Sequence, residues 1–137
     1  MKNLQLATAL MAVLLTGASL AGAHAAGPDG IKRHEALRHD LDQAGRELVQ
    51  VRVDFAPGAA FGMHTHPGIE VAYVLEGTLE YSFEGKPPVT LKAGQSLYIP
   101  AGEAHAARNV GSDNAAELAT YLVEKGKPIV VPKTAAP

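Results

Sequence analysis

Apolar and polar side chains alternate through the middle of the chain, most clearly between residues 48 and 55. In that segment Val49, Val51, Val53 and Phe55 are apolar, and the side chains between them are polar. Side chains on a β-strand point alternately to its two faces, so this pattern predicts a half-buried strand. Val49, Val51, Val53 and Phe55 are expected to face the core.

Further short segments have the same character, and Gly and Pro separate them at close intervals. The predicted strands cover residues 61–66, 70–75, 79–83, 89–91, 96–99, 104–110 and 118–123. Many short strands punctuated by turn residues are typical of an all-β sandwich or barrel. Residues 33–46 lack clear alternation, and a short irregular or helical segment is predicted there.

The first 25 residues have the composition of a secretory signal peptide. Lys2 is their only charged residue, an apolar stretch follows, and Ala23-His24-Ala25 offers small residues at the expected cleavage position. A retained membrane anchor is the competing interpretation, but polar residues interrupt the stretch, which is short for a spanning helix. We therefore predict an exported protein with no membrane attachment after cleavage, periplasmic in a Gram-negative source and otherwise secreted.

These features divide the chain into a signal peptide (1–25), an N-terminal lead-in (26–46), one β-domain (47–125) and a C-terminal tail (126–137). The mature chain has a formal charge of −3 and no basic cluster, which argues against nucleic acid as a partner. The absence of cysteine excludes disulfides, thiolate metal ligands and cysteine nucleophiles.

His64 and His66 form an HxH pair on a predicted strand. Side chains at i and i+2 share one face of a strand, so the two imidazoles lie side by side, as metal ligands must. A three-residue connection after His66 would bring the Glu70 carboxylate back to the same face. His34 and His39 are not spaced to join this group, and they are expected to be exposed to solvent.

Glycines, prolines and polar residues occur at defined intervals on either side of this pair. Five residues separate Gly58 from His64-Thr65-His66, three residues separate His66 from Glu70, and six separate Glu70 from Gly77. A second run of the same kind contains Gly94, Pro100, Gly102, His105 and Asn109. The two runs resemble the two conserved motifs of the cupin superfamily, position for position.

The resemblance implies a double-stranded β-helix, or jelly roll, with His64, His66, Glu70 and His105 as ligands of one metal ion. It also implies that Asn109 has a role in the framework and none in the chemistry. Three imidazoles and a carboxylate suit Mn, Fe, Ni, Cu or Zn and do not distinguish between them, whereas Ca²⁺ prefers oxygen ligands.

Beyond these ligands, strand alternation predicts an apolar cavity. Ala72, Val74 and Ala107 are expected to point inward, and the four tyrosines are expected to pack. Two functions stay open. One is a metal-dependent enzyme of dioxygenase or isomerase type acting on a small, partly apolar molecule, in which Glu70 is also a candidate catalytic base.

The other function is non-catalytic binding of a small molecule, which the scarcity of further acid–base groups favours. A purely structural barrel with an unused site is a weaker third alternative. The exposed faces and edges of a small barrel are also compatible with a homodimer.

Overall fold

The structure, a computed structural model, describes residues 29–41 and 45–134. The predicted signal peptide lies outside this part of the chain. The described residues form ten strands: β1 (Ile31–Asp40), β2 (Arg46–Phe55), β3 (Ala60–Thr65), β4 (Gly68–Glu76), β5 (Thr78–Phe83), β6 (Lys86–Lys92), β7 (Ser96–Ile99), β8 (His105–Asn109), β9 (Ala115–Glu124) and β10 (Val131–Pro132). No helix long and apolar enough to cross a membrane occurs within the two described ranges.

The strands make two five-stranded antiparallel sheets, with the orders β1-β2-β9-β4-β7 and β10-β3-β8-β5-β6. Strands that are neighbours in sequence, such as β3 and β4, belong to different sheets, so the chain winds repeatedly from one sheet to the other. This topology is a double-stranded β-helix, and it confirms the predicted all-β jelly roll. All eight predicted strands occur, with boundaries shifted by a few residues.

The core lies between the inner faces of the two sheets. The alternating side chains of β2, from Val49 to Phe55, are all buried, as predicted. They pack with Leu79 and Tyr81 of the other sheet. Asn109 is fully buried, and its side-chain amide donates to three backbone carbonyls while its oxygen accepts from the Gly111 amide. It thus ties together the loops at one end of the barrel, which agrees with the expected framework role.

The prediction for residues 33–46 was wrong, because residues 31–40 form a ten-residue edge strand, β1, paired along β2. Most of its side chains are exposed, and the pairing is shifted by a bulge between Glu35 and Leu37. An exposed edge strand needs no apolar alternation, and the bulge disrupts what little alternation exists. Hydrogen bonding to β2 therefore decides the structure of this segment.

Candidate metal centre

Four side chains that the sequence analysis selected come together inside the barrel. His64 lies on β3, His66 follows that strand, Glu70 is on β4 and His105 begins β8. All four are nearly fully buried, with exposed fractions between 2% and 6%. The side-chain nitrogens of the three histidines lie within 4.8 Å of one another, close enough for one metal ion.

Strand pairing accounts for the positions of His64 and His105. His64 and His105 are directly opposite each other across β3 and β8, and their ring centroids are 4.3 Å apart. The register of β3 shifts between Phe61 and His64. Residues three apart on a regular strand face opposite sides, but the bulge brings both Phe61 and His64 to the cavity.

The connection from His66 to Glu70 passes from one sheet to the other through Pro67 and Gly68. Nothing larger than glycine fits at position 68, because an added Cβ would come within 2.0 Å of the Leu122 carbonyl oxygen on β9. The amide of Gly102, in the turn before β8, also donates to the His66 carbonyl (3.1 Å). Close backbone packing therefore fixes the two halves of the site relative to each other.

Each imidazole is oriented by a backbone carbonyl. The Nδ1 atoms of His64, His66 and His105 lie 2.7, 2.6 and 2.9 Å from the carbonyl oxygens of residues 62, 129 and 103, respectively. A carbonyl can only accept, so each Nδ1 is the protonated nitrogen. In the neutral imidazole, Nε2 then carries a free lone pair. Histidines that bind a metal through one ring nitrogen usually donate the other N–H to a carbonyl or carboxylate, which fixes the orientation of the ring.

Two buried atoms at the centre have no hydrogen-bond partner among the described residues, namely His66 Nε2 and Glu70 Oε2. They lie only 2.8 Å apart, and His105 Nε2 is 3.2 Å from the same oxygen, but His66 Nε2 and Glu70 Oε2 are not aligned as a hydrogen bond. Unpaired buried polar atoms are costly. A cation held between these nitrogens and the oxygen would satisfy them, so the residues present fit a metal ion.

The pKa values of His64 and Glu70 favour the protonation states that bind a metal, namely a neutral imidazole and a carboxylate. Burial, which outweighs the other influences on His64, lowers its pKa to about 4 and keeps it neutral. Burial alone would raise the pKa of Glu70, but the side chains of His105 and His66 lie close to its carboxylate, outweigh burial and hold the pKa at about 2. Burial would lower the pKa of His105, yet the Glu70 carboxylate outweighs it and the pKa is raised.

The cavity beside these residues is small, because the volume that the centre of a water molecule can occupy in it is about 20 Å³. A void of that size has room for roughly one water molecule. Its walls are partly apolar, formed by Val53, Phe55, Phe61 and Ala107. Ala72 and Val74 are fully buried and so point inward as expected, but they are not among the residues that line this cavity.

The prediction that few other polar groups reach the cavity was wrong. Arg33 from β1, Tyr81 from β5, and Glu117 and Tyr121 from β9 also line it. Tyr81 and Tyr121 are buried, as expected, whereas Tyr73 and Tyr98, also expected to pack, are exposed.

Glu117 and Tyr81 form a buried pair, in which the Tyr81 hydroxyl donates to a Glu117 carboxylate oxygen. Burial, and then the charge of Glu70, raise the pKa of Glu117 to about 7, although the Tyr81 hydrogen bond works in the opposite direction. Burial and the Glu117 charge raise the pKa of Tyr81 well above its ordinary value, so the phenol stays protonated. The pair is thus a buried acid–base group in the wall of the metal cavity.

Sequence reasoning missed Glu117 and Arg33 for different reasons. Glu117 lies three residues into β9, two residues before the buried Ala119, so alternation along that strand would have pointed it inward. Arg33 lies in the segment predicted as irregular or helical, where no inward face was assigned. His34 and His39 are exposed on β1, as expected, and among the described residues they do not belong to the histidine cluster.

The sequence matches the family described as "Cupin domain" over residues 51–124, which is more than half of the chain. A germin-like protein from Brassica napus is 38% identical over 82 residues, which cover 56% of this chain and 40% of that protein. An oxalate-binding protein from Thermotoga maritima is 33% identical over 73 residues, covering 53% of this chain and 60% of that protein.

Among solved structures, an oxalate oxidase in complex with glycolate superimposes with a TM-score of 0.61 and 28% identity, over 77% of this chain and 56% of that one. The chain therefore spans about half the length of the relatives it matches. The family match includes all four residues of the histidine and carboxylate cluster and the whole of β3 to β8. This chain belongs to the cupin family.

Proposed function

We propose that His64, His66, His105 and Glu70 hold one divalent transition-metal ion. The observation that carries this proposal is the orientation of the three imidazoles, each of which donates Nδ1–H to a carbonyl and leaves Nε2 available. The three rings are close enough to share one ion, and the Nε2 atoms of His66 and His105 lie 2.8 and 3.2 Å from Glu70 Oε2. Three imidazole nitrogens and a carboxylate with a low pKa form a ligand set for a borderline first-row metal, that is Mn, Fe, Ni, Cu or Zn.

A metal bound by these four ligands supplies Lewis-acid or redox chemistry at any coordination position left open to a small molecule. The protein's own contribution is the cavity around it. Part of its wall is apolar and it has room for only about one water molecule, and the Glu117–Tyr81 pair can accept or return a proton. We therefore propose a metal-dependent enzyme of dioxygenase or isomerase type that acts on a small molecule.

One observation supports catalysis over simple binding. Glu117 is a buried carboxylate with a pKa raised to about 7, where a general acid–base group is most effective near neutral pH. Glu70 stays a candidate base from the sequence, but a carboxylate with a pKa of about 2 is a weak proton acceptor. Glu117 is the stronger candidate, and Glu70 is proposed mainly as a ligand.

The alternative function is a non-catalytic metal-dependent binding protein, favoured by the similarity to a relative that is named an oxalate-binding protein. To separate the two, the metal-loaded protein would be incubated with oxalate or glycolate, and products would be followed by chromatography and oxygen consumption. Turnover that Glu117→Gln and Glu70→Ala both reduce, with metal retained in Glu117→Gln, supports the enzyme. Saturable binding by calorimetry without any product supports the binding protein.

Export and dimerisation are also part of the proposal. Export depends on residues 1–25, and mass spectrometry of the mature protein from the periplasm or medium would test it by locating the new N-terminus near residue 26. A homodimer would be tested by sedimentation equilibrium. A single species of monomer mass across the concentration range would contradict it.

A further inference from the structure

Arg33 is a cationic side chain that reaches the metal cavity from outside the matched cupin region. Across β1 and β2 it lies opposite Val53, a buried core residue. Directly opposed residues of antiparallel strands project to the same face of the sheet. Arg33 is therefore directed inward, although β1 is an exposed edge strand on which most side chains face solvent.

The guanidinium group lies over the face of an aromatic ring in the cavity wall. Its central carbon is 5.3 Å from the centroid of the Phe61 ring, which in turn is 4.8 Å from the His64 ring. Phe61 is thus close both to the cation and to the ring of one proposed metal ligand, and all three side chains line the same cavity. A cation stacked on an aromatic ring keeps its N–H donors free at the edges of its plane.

Arg33 also has no acidic partner within the described ranges. Arg38 pairs with Glu35 and Glu47, and Arg52 pairs with Asp54 and Glu76, but no ion pair involves Arg33. Glu117 and Tyr121 in the same cavity both interact with Arg33, but no salt bridge joins Arg33 to Glu117. A half-buried guanidinium that keeps no carboxylate of its own can accept one from a ligand.

We propose that Arg33 is the anion anchor of this cavity and that it selects small carboxylates. The carboxylate of the ligand would face the Arg33 guanidinium, and an oxygen at its other end would face the proposed metal ligands. The cavity has room for roughly one water molecule, so only the smallest carboxylates are candidates, and the side chains around Arg33 must move outward to admit one. This inference rests on the proposed metal site, because that site holds the second end of the ligand.

Charge, and not only shape, would then decide what binds. Glycolate and its neutral amide, glycolamide, have nearly the same size and differ mainly in the charge that Arg33 would recognise. A charge-assisted, two-pronged hydrogen bond from Arg to a carboxylate is stronger than any that a neutral amide can accept. Lys at position 33 would keep the charge and lose the planar fork.

The test is isothermal titration calorimetry of the full mature protein with glycolate and with glycolamide. The parent would be compared with Arg33→Gln, Arg33→Lys and Arg108→Gln. Arg108 is an exposed arginine on β8 and serves as the matched control. Metal content and the thermal unfolding temperature of each variant would be measured first, so that loss of metal or of fold is recognised separately.

The expected result is at least tenfold weaker glycolate binding in Arg33→Gln, an intermediate loss in Arg33→Lys and no change in Arg108→Gln. Glycolamide binding and metal content should stay within twofold of the parent. Equal affinity of the parent for glycolate and glycolamide, an equal loss for both in Arg33→Gln, or no glycolate binding at millimolar concentration would each overturn the inference.

Failure of the metal site itself would be visible as absent metal in the parent protein. The role of Arg33 is then tested by titrating the metal-free protein and its Arg33→Gln variant with glycolate. Weak glycolate binding that Arg33→Gln abolishes would still support the anion anchor, and glycolate binding that the substitution leaves unchanged would overturn it.

Discussion

Replacing Glu117 by Gln should make the metal-free protein more stable at alkaline pH. Glu117 is 5% exposed, and the pKa of its carboxyl is raised from 4.5 to about 7, first by burial and then by Glu70. A carboxyl with a raised folded-state pKa binds its proton more tightly when folded, so its favourable contribution is complete below pH 4.5 and is lost as the pH rises through about 7. At about 1.4 kcal/mol per pKa unit, the charged form costs about 3 kcal/mol above pH 8.

Glutamine removes that cost while its amide oxygen can still accept from the Tyr81 hydroxyl. The free energy of unfolding would be measured by urea denaturation of chelator-treated parent and Glu117→Gln proteins at pH 4.5 and 8.5. We expect the difference between the two proteins to shift in favour of the variant by about 2–3 kcal/mol between these pH values.

A matched control is Glu124→Gln on the same strand, where Glu124 is exposed and Lys127 lowers its pKa. This control should show no gain at high pH. A Glu117→Gln difference that does not change with pH would refute the description of Glu117 as a buried group that titrates near neutrality, and with it the argument for an acid–base role.

Two further predictions concern the backbone that shapes the site. A chain that ends before Ile129 loses the carbonyl that orients His66. Its metal affinity, measured by chelator competition, should therefore fall about 10–100-fold. Unchanged affinity would show that the C-terminal segment is dispensable for the site. Gly68→Ala must displace the Leu122 carbonyl and should lower the free energy of unfolding by roughly 1–3 kcal/mol. Gly62→Ala, with open space around it, should cost less, and an equal cost for both would contradict the steric argument.

The ligand cluster and the strands around it could be predicted because strong local signals specify them. Alternation fixes which face of β2 is buried, and glycines and prolines mark the turns between strands. The spacing from His64 to Glu70 allowed only certain connections, and Gly68 permits the close approach to β9 that the connection uses. In these regions the local sequence pattern and the tertiary packing agree.

The remaining features depend on pairing between distant segments. β1 is a strand because β2 offers it a hydrogen-bonded edge, and nothing within residues 31–40 alone indicates this. The carbonyl that orients His66 belongs to Ile129, 63 residues away in the predicted tail. The Glu117–Tyr81 pair joins strands of different sheets. Contacts of this kind could not be derived without the three-dimensional arrangement.

The central claim is that the three histidines and Glu70 bind one transition-metal ion. The direct test is elemental analysis of the mature protein, purified without a histidine tag, beside the His64→Ala/His66→Ala double variant. A His34→Ala/His39→Ala double variant controls for surface histidines. We predict near-stoichiometric Mn, Fe, Ni, Cu or Zn in the parent and in the surface control, and its loss from the site variant. Absence of metal from all three proteins, with no uptake when each ion is added, would contradict the claim.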